Sequence, residues 1–264
     1  MSRTIAVANQ KGGVGKTTTC INLAASLAAT RRRVLLVDVD PQGNATTGCG
    51  LDKYQLECSA YDVLAGGAGA PDALVRLDKP GFTLLPANGD LTAAEVDLMS
   101  ASGRETRLRY ALERVRRDYD FVLVDCPPAL NMLTVNAMVA AHGLLIPMQC
   151  EYYALEGLTA LLDTVEKVRQ RANPGLEIEG ILRTMFDPRN NLANEVSGQL
   201  ILHFGDQVYR TVIPRNVRLA EAPSHGMPTL LYDRSSRGAL AYLALAGEML
   251  RREARRTEAQ GATG

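Results

Sequence analysis

The sequence predicts an α/β fold, in which one domain is built on a mostly parallel, twisted β-sheet with helices on both faces. Three observations support this prediction. Short apolar segments alternate along the chain with longer segments of helical periodicity. The apolar segments are hydrophobic at consecutive positions, as expected for strands that are covered on both faces. The length of 264 residues suits a single large domain of this class.

The elements follow from these patterns in order. The first strand, at 5–8, ends in a glycine-rich turn and is followed by a helix at 17–29. A helix at 107–117 carries apolar residues at 108, 111, 112 and 115, which is the spacing of one helix face. Further strands are predicted at 34–37, 82–86, 121–124, 143–147, 178–185, 208–213 and 229–231. Further helices are predicted at 155–171, 195–204 and 238–256. The domain is therefore predicted to cover residues 1–256, and residues 257–264 are predicted to form a disordered tail.

Charge is balanced overall but unevenly distributed. The chain carries 29 Lys and Arg residues against 29 Asp and Glu residues, so its formal net charge is zero. This balance excludes a protein that holds nucleic acid by bulk basicity. Residues 1–37, however, contain six basic and no acidic residues, and residues 183–264 contain eleven basic against eight acidic residues. Local basic surfaces are therefore compatible with the neutral total.

Cysteine usage and hydropathy predict a cytoplasmic protein without a membrane partner. The five cysteines include no C-x-x-C pair, and the N-terminus has no signal-peptide pattern, so we expect reduced, mostly buried thiols. No apolar run reaches the ~18–20 residues needed to cross a bilayer. The three histidines show no metal-ligand spacing. One of them, His225, lies among turn-forming residues and is expected to be structural.

A glycine-rich loop with two lysines lies between the first strand and the first helix. It resembles the Walker A pattern, but Gln10 stands where that pattern has glycine, and Lys11 is an additional lysine. Glycines let backbone amides converge on phosphate oxygens at a helix N-terminus. Lys16 is placed to neutralise the β- and γ-phosphates, and the Thr17 hydroxyl to bind Mg²⁺. The sequence therefore predicts a P-loop NTPase. The predicted phosphate-binding residues are Lys11, Gly12, Gly13, Val14, Gly15, Lys16, Thr17 and Thr18.

Aspartates follow two of the predicted strands. Asp38 and Asp40 stand at the end of the second strand, and Asp125 ends the strand at 121–124. Because the carboxyl ends of neighbouring parallel strands converge on one crevice, these carboxylates are expected beside the phosphate loop. Asp40 and Asp125 are predicted to hold Mg²⁺ or its waters, and Asp125 fits the Walker B position. Asp38 either shares this role or is purely structural.

Several segments resemble one family of ATPases. Residues 11–18 are similar to the deviant Walker A motif of the ParA/MinD superfamily, residues 34–44 to its second motif, and residues 124–128 to its Walker B motif. Residues 149–157, 212–219 and 221–226 resemble those of chromosomal, Soj-type ParA partition ATPases. The resemblance covers nearly the whole chain, so it extends well beyond motifs that any P-loop protein shares.

The resemblance implies a mechanism and partners. It implies ATP and Mg²⁺ as cofactors and a nucleotide-sandwich homodimer that forms on ATP binding. Lys11 then crosses to the partner's phosphates, Asp40 positions the attacking water, and Thr18 helps to hold the α-phosphate. Lys11, Lys16 and Asp40 are the implied catalytic residues. The dimer binds double-stranded DNA without sequence preference, associates with the nucleoid, and is reset when a ParB-type centromere-binding protein stimulates hydrolysis. The implied adenine contacts are Met185, Pro214, Arg215 and Asn216.

The same resemblance points to a DNA surface. Arg189 and Arg218 match positions implicated in DNA contact in Soj-type proteins, whereas Arg183 is expected to be structural. Binding through backbone phosphates would be strongly salt-dependent. The neighbouring arginines added to this predicted surface are Arg215, Arg234 and Arg237.

Some alternatives remain open at this point. A related ParA-like ATPase could position a cargo other than a chromosome, and chromosome and plasmid are not distinguished. A MinD-type membrane-associated regulator is disfavoured, because no large apolar residue follows Leu250. The arginines at 104–117 either face solvent or form a second basic contact surface.

Overall fold

The computed structural model describes residues 2–100 and 103–261. Within this part of the chain, seven strands form one sheet in the order β3-β4-β2-β5-β1-β6-β7. Every neighbouring pair is parallel except β3 with β4, which confirms the predicted α/β class. The strands are β1 (Arg3–Val7), β2 (Val34–Asp38), β3 (Val75–Leu77), β4 (Phe82–Leu85), β5 (Phe121–Asp125), β6 (Gly143–Gln149) and β7 (Glu177–Thr184).

Helices cover both faces of this sheet. One core contains Ile5 and Val7 of β1 packed with the first and last long helices, and the other contains Ala6 packed with helices from the middle of the chain. This alternation is the two-residue period of a strand that is buried on both sides. The helices are α1 (Lys16–Ala29), α2 (Asn44–Gly48), α3 (Ala60–Ala65), α4 (Ala70–Ala73), α5 (Leu91–Ser100), α6 (Arg107–Glu113), α7 (Met132–Ala140), α8 (Ala154–Arg171), α9 (Asn191–Phe204), α10 (Val217–Glu221), α11 (Thr229–Tyr232) and α12 (Arg237–Gly261).

The strand order places the predicted site at one edge of the sheet. β5 lies between β1 and β2, and its last residue, Asp125, is in register with Val7 of β1 and Asp38 of β2. The chain therefore crosses over β5 when it passes from β1 through α1 to β2. A crevice at the carboxyl ends of the strands is expected where connections diverge in this way.

Two predicted strands are wrong. Residues 208–213 run beside β7 but form only one isolated bridge with it, at Val208 with Ile181, and a second isolated bridge joins the flanking residues Pro214 and Phe186. A strand ladder would use the backbone carbonyls of Tyr209 and Arg210. These carbonyls instead accept from the Arg183 side chain. Residues 229–231 begin the helical turn α11 after Pro228. Three apolar residues are too few for periodicity to distinguish a strand from a helix.

Several helix limits also differ from the prediction. The helix predicted from 195 begins earlier, at Asn191, because the Asn190 side chain caps it by accepting from the Ala193 amide. The helix predicted at 107–117 ends at Glu113 and is followed by a 3₁₀ turn. The last helix continues to Gly261, into the segment predicted to be a tail, and residues 262–264 lie outside the described residues. None of the described helices is long and apolar enough to span a bilayer.

A close contact between β7 and the chain that follows α9 gives a stability prediction. A Cβ atom on Gly180 would lie 2.7 Å from Cδ2 of Tyr209 and 3.0 Å from the Gln207 carbonyl. The Tyr209 ring is buried, and the Arg252 guanidinium covers it at 4.0 Å, so the ring has little room to move. Gly180→Ala should therefore lower the free energy of unfolding by about 1–3 kcal/mol, measured by urea denaturation.

Gly198→Ala is the matched control. Gly198 lies inside α9, and a Cβ atom there would meet no atom within 4 Å. Alanine is favoured over glycine in a helix interior, so this variant should gain up to about 1 kcal/mol. Equal stabilities for the two variants would contradict the proposed contact with Tyr209.

Candidate functional site

The glycine-rich loop is shaped as a cradle at the carboxyl edge of the sheet. It joins β1 to α1, and Gly13 and Gly15 adopt φ angles of 74° and 85°, in the left-handed region that favours glycine. A Cβ atom on either residue, or on Gly12, would meet nothing within 4 Å. The space in front of the loop is thus open, and the N-terminus of α1 faces it. These features fit a bound phosphate group.

Lys16 and Lys11 occupy different environments. Lys16 is buried, and its Nζ donates to the Lys11 carbonyl at 3.1 Å. Burial lowers the pKa of Lys16, and the nearby Asp125 carboxylate is the main opposing influence. Lys11 is half-exposed and forms an ion pair with Glu151 of the same chain. The fold therefore buries Lys16 within the loop and leaves Lys11 on the surface of the loop.

The base of the loop is fixed by contacts to neighbouring strands. The Asn9 side chain accepts from the Lys11 amide at 3.0 Å and donates to the Pro147 carbonyl of β6 at 2.8 Å. Thr184, the last residue of β7, donates its hydroxyl to the Val14 carbonyl at 2.8 Å. The loop is thus held before any ligand binds.

Two carboxylates lie side by side below the loop. Asp38 and Asp125 are fully buried at the ends of adjacent strands. Burial, together with the charge of Asp38, raises the pKa of Asp125 to about 8, and the Thr17 hydroxyl and the Cys20 thiol oppose that rise. Cys20 donates to Oδ1 of Asp125 at 3.4 Å, whereas Oδ2 is buried with no hydrogen-bond partner in the described chain.

The Asp38 carboxylate is satisfied within the chain, which favours the structural one of the two alternatives that the sequence left open. One of its carboxylate oxygens accepts from the Thr46 amide at 2.9 Å and from the Thr46 hydroxyl at 2.8 Å. The other accepts from the Asp40 amide at 3.1 Å. Burial nevertheless raises the pKa of Asp38 to about 6. Thr46 also accepts from the Ala87 amide at 2.8 Å, so this network joins β2, α2 and the segment after β4.

The acidic residues suit a cation that is held largely by phosphate. Within the described residues, no group of three or more His, Cys, Asp or Glu side chains forms a metal site by itself. Thr17, the second residue of α1, lies beside Asp125, whose free oxygen could accept from a water on Mg²⁺. Asp40 is buried, and its side chain accepts from the Gln42 amide at 3.0 Å. This donor set fits Mg²⁺ bound together with a nucleotide.

The predicted adenine contacts come together in one cavity. Its volume is about 190 Å³, and Gly15, Thr18 and Tyr242 share its lining with the predicted residues. Met185 has a φ of 48°, which is uncommon for a residue with a side chain. The predicted residues in the lining are Met185, Pro214, Arg215 and Asn216.

Three of the five predicted DNA-contact residues share a second cavity. Arg189, Arg215 and Arg237 line a depression of about 380 Å³, and Arg215 also belongs to the adenine-side cavity. Arg218 lies on α10, and Arg234 is exposed in the loop before α12. The two cavities therefore share a wall.

Two of these arginines are paired with carboxylates. Arg189 donates to Asp187 at 2.7 Å, and this pairing lowers the pKa of Asp187 to about 2. Arg218 donates to Glu221 at 2.8 Å and lies 3.3 Å from Asp233. These pairs are exposed, so they hold the arginines weakly and leave them able to exchange partners.

Arg183, His225 and the cysteines lie in the environments that the sequence predicts. Arg183 is buried, where it donates to Ser197 and to two backbone carbonyls, so it is structural. His225 stacks on Tyr232 at 4.8 Å. All five cysteines are free, and four are buried. The apolar stripe of α6 is buried, which leaves the contact role of its arginines as an open prediction.

Two partners in the site had no signal in the sequence. The Cys20 thiol lies against Asp125, although the sequence predicts for the cysteines only that they are reduced and mostly buried. Glu151, within the family-like segment 149–157, pairs with Lys11 across 140 positions of the chain. Sequence spacing carries no information on contacts of this range, because the fold alone brings the strand ends together.

Comparisons with known proteins place the chain in a family. Residues 2–178 match the family described as AAA domain. The chromosome partitioning protein ParA of Caulobacter vibrioides is 54% identical over 253 residues, which covers 95% of each chain. The sporulation initiation inhibitor protein Soj of Bacillus subtilis is 52% identical over 249 residues, covering 94% of this chain and 98% of the relative. The chain belongs to the ParA/MinD superfamily, as a Soj-type partition ATPase.

Solved structures of similar proteins agree with this family. Cobyrinic acid a,c-diamide synthase from Mycobacterium smegmatis, with bound ADP and magnesium, is 41% identical with a TM-score of 0.84, and the match covers 95% of both chains. The cell division ATPase MinD of Pyrococcus furiosus is 27% identical with a TM-score of 0.79, and the match covers 95% of this chain and 99% of that one. This Soj-type protein is an ATPase that uses ATP and Mg²⁺.

The network around Asp38 gives a prediction that does not depend on nucleotide. Thr46→Val removes a hydroxyl that donates to a buried carboxylate and accepts from the Ala87 amide. Both groups would lose a hydrogen bond in a buried setting, so unfolding free energy should fall by about 2 kcal/mol or more, measured by urea denaturation of the nucleotide-free protein. Thr46→Ser keeps the hydroxyl and is the control. If both variants lose the same stability, the hydrogen bonds are not responsible.

Proposed function

We propose that this partition ATPase is a nucleotide-dependent DNA-binding switch. In this proposal, ATP brings two copies together as a sandwich dimer, and the dimer binds double-stranded DNA without sequence preference on the nucleoid. A ParB-type centromere-binding protein then stimulates hydrolysis, which releases the dimer. The observation that carries the proposal is that the adenine-side cavity and the arginine-lined cavity share Pro214 and Arg215. Nucleotide in the first cavity can therefore reposition residues of the second.

The chain's own groups divide the work of hydrolysis. Bound Mg²⁺ would neutralise the developing charge on the phosphates. Backbone amides of the loop bind phosphate oxygens, and Lys16 supplies a positive charge from a buried position where it is poorly screened. Thr17 offers its hydroxyl to the cation, while the free oxygen of Asp125 accepts from the water around it. Asp40 orients the attacking water.

Lys11 is the residue that we assign to the dimer interface. Its partner in the single chain is Glu151, and both side chains are about half exposed. An exposed ion pair of this kind contributes little stability, so Lys11 can leave Glu151 at small cost when a second nucleotide approaches. Its ammonium would then reach the phosphates that are bound in the partner subunit. The surface position of Lys11, in contrast with the buried Lys16, supports this role.

DNA binding should follow the nucleotide state. A mixed-sequence duplex should bind tightly with a slowly hydrolysed ATP analogue and weakly with ADP or without nucleotide, as measured by fluorescence anisotropy. Arg189→Ala combined with Arg218→Ala should reduce the affinity by about 10-fold or more and flatten its salt dependence, because phosphate contacts are lost. Arg32→Ala with Arg171→Ala removes the same charge from exposed positions elsewhere and is the control. Equal binding in every nucleotide state would contradict the switch.

Asp40→Ala should separate binding from hydrolysis. The groups that bind phosphate remain, but the attacking water loses its orienting carboxylate. Phosphate release should fall by about 100-fold or more, and an ATP-bound dimer should accumulate in size-exclusion chromatography. Asp78→Ala removes an exposed carboxylate that pairs with Arg76 and should change neither quantity. Normal turnover by the Asp40 variant would rule out its assigned role.

A further inference from the structure

A second arginine-rich cavity lies at the far end of α12. Its volume is about 410 Å³. Tyr242, near the start of α12, lines the adenine-side cavity, and Arg255 lies 13 residues further on, about 20 Å along the helix axis. This cavity at the C-terminal end of α12 is therefore remote from the adenine-side cavity. Its lining residues are Asp206, Arg210, Thr211, Glu248, Arg251, Arg252, Arg255 and Arg256.

Two of its arginines have structural partners. Arg252 donates to the Val208 carbonyl at 3.0 Å and to Glu248 at 2.9 Å, and its guanidinium lies over a buried tyrosine ring. Arg256 donates to the buried Glu179 at 2.7 Å. These contacts anchor α12 on the chain beside β7. The charge of both guanidinium groups is thus balanced within the protein.

The acid on the floor of the cavity is also fully used. The Glu248 carboxylate accepts from the backbone amides of Arg210 and Thr211, each at 2.9 Å, and from the Thr211 hydroxyl at 2.8 Å. It therefore fixes the 210–211 segment against α12. This frame holds Arg210 at a defined place beside the arginines of the helix.

Three arginines of the cavity have no such partner. Arg210, Arg251 and Arg255 are exposed, and within the described chain no hydrogen bond or ion pair of their side chains is formed. Arg251 and Arg255 are four residues apart on the helix, a spacing at which like charges repel. Of the two acids in the lining, Glu248 is already engaged, so only Asp206 remains to offset them. The guanidinium fork suits the oxygens of a phosphate group.

The positions of Arg251 and Arg255 on α12 indicate which phosphate-bearing ligand these arginines fit. Arg255 follows Arg237 by 18 residues, which is five helical turns, so the two share one face about 27 Å apart. Along that face between them, Leu240 and Ala244 are exposed, and Glu248 is buried with its carboxylate held by the 210–211 segment, which carries Arg210. A small anion would occupy one end only, whereas a duplex carries phosphates along the whole distance.

We propose that Arg210, Arg251 and Arg255 form a second contact site for the backbone phosphates of duplex DNA. The inference rests on the proposed DNA-binding function and extends it: DNA lies along α12, with Arg237 near one end and this cluster at the other. The ligand is the phosphodiester backbone, so the site carries no preference for base sequence. DNA that contacts Arg237 at one end of α12 and the arginine cluster at the other binds more tightly than DNA that contacts only one of them.

The test uses the full chain with a slowly hydrolysed ATP analogue, Mg²⁺ and a labelled mixed-sequence duplex over a series of KCl concentrations. Arg251→Gln with Arg255→Gln removes two charges and keeps good helix formers. We expect about 10-fold weaker binding and a slope of log affinity against log salt that is smaller by about 1.8 per protomer. Arg32→Gln with Arg171→Gln is the matched control, with the slope of the wild-type protein. Thermal unfolding of each variant checks that it is folded, and Arg210→Gln tests the site from outside the helix.

The outcomes separate this inference from the function on which it rests. The second site would be overturned if the Arg251 and Arg255 double variant and Arg210→Gln both kept the affinity and the salt slope of the wild-type protein. If the Arg189 and Arg218 variant also lost DNA binding, the proposed switch would remain intact. Absence of DNA binding by the wild-type protein in every nucleotide state would overturn both. Sedimentation with phosphatidylglycerol vesicles tests whether the three arginines bind lipid phosphates instead of DNA. Vesicle binding that depends on Arg251 and Arg255, with DNA binding unchanged, would assign the cluster to lipid and overturn the proposal.

Discussion

The structure depends on the burial of two carboxylates at the ends of adjacent strands. Asp38 and Asp125 have almost no contact with solvent, and burial raises the pKa of both, with the charge of Asp38 adding to the cost of ionising Asp125. The chain compensates one of them completely, because Thr46 and the Asp40 amide satisfy Asp38. The chain satisfies Asp125 only in part, because one of its carboxylate oxygens accepts from Cys20 and the other has no partner in the described residues. The free oxygen of Asp125 and the buried Lys16 beside it form a polar centre that a nucleotide and its cation complete.

This difference explains why two aspartates on neighbouring strands have separate roles. The hydrogen bonds of Asp38 join it to the Asp40 amide and to Thr46 of α2, and Thr46 in turn accepts from Ala87 after β4. They fix the backbone of residues 38–46, and Asp40 lies within that span. Asp38 thus orders the segment that contains Asp40 through hydrogen bonds within the chain. Asp125 accepts from the Cys20 thiol, and its other oxygen, which no group of the described chain satisfies, fits the water shell of a cation.

Much of this arrangement follows from sequence patterns. Buried parallel strands are hydrophobic at consecutive positions, so β1, β2, β5 and β6 are recognised easily, and the aspartates that end two of them mark the site. Residues 208–213 also satisfy an apolar strand pattern. Their backbone, however, is held by Arg183 and Glu248, which are 25 or more residues away in the chain, and local periodicity contains no trace of such partners. The pairing of Lys11 with Glu151 was beyond prediction for the same reason.

The zero net charge now has a structural explanation. Carboxylates lie beside Arg189 and Arg218, and others hold Arg252 and Arg256, so much of the positive charge is balanced within one chain. A single copy therefore offers DNA only a few free charges and should bind it weakly at physiological salt. In the proposed switch, two copies joined through nucleotide would present every group twice, and the second set would bind at a high effective concentration once the first is engaged. Because the gain from pairing is multiplicative, near-neutrality of the monomer would then make DNA affinity depend on dimerisation rather than on charge alone.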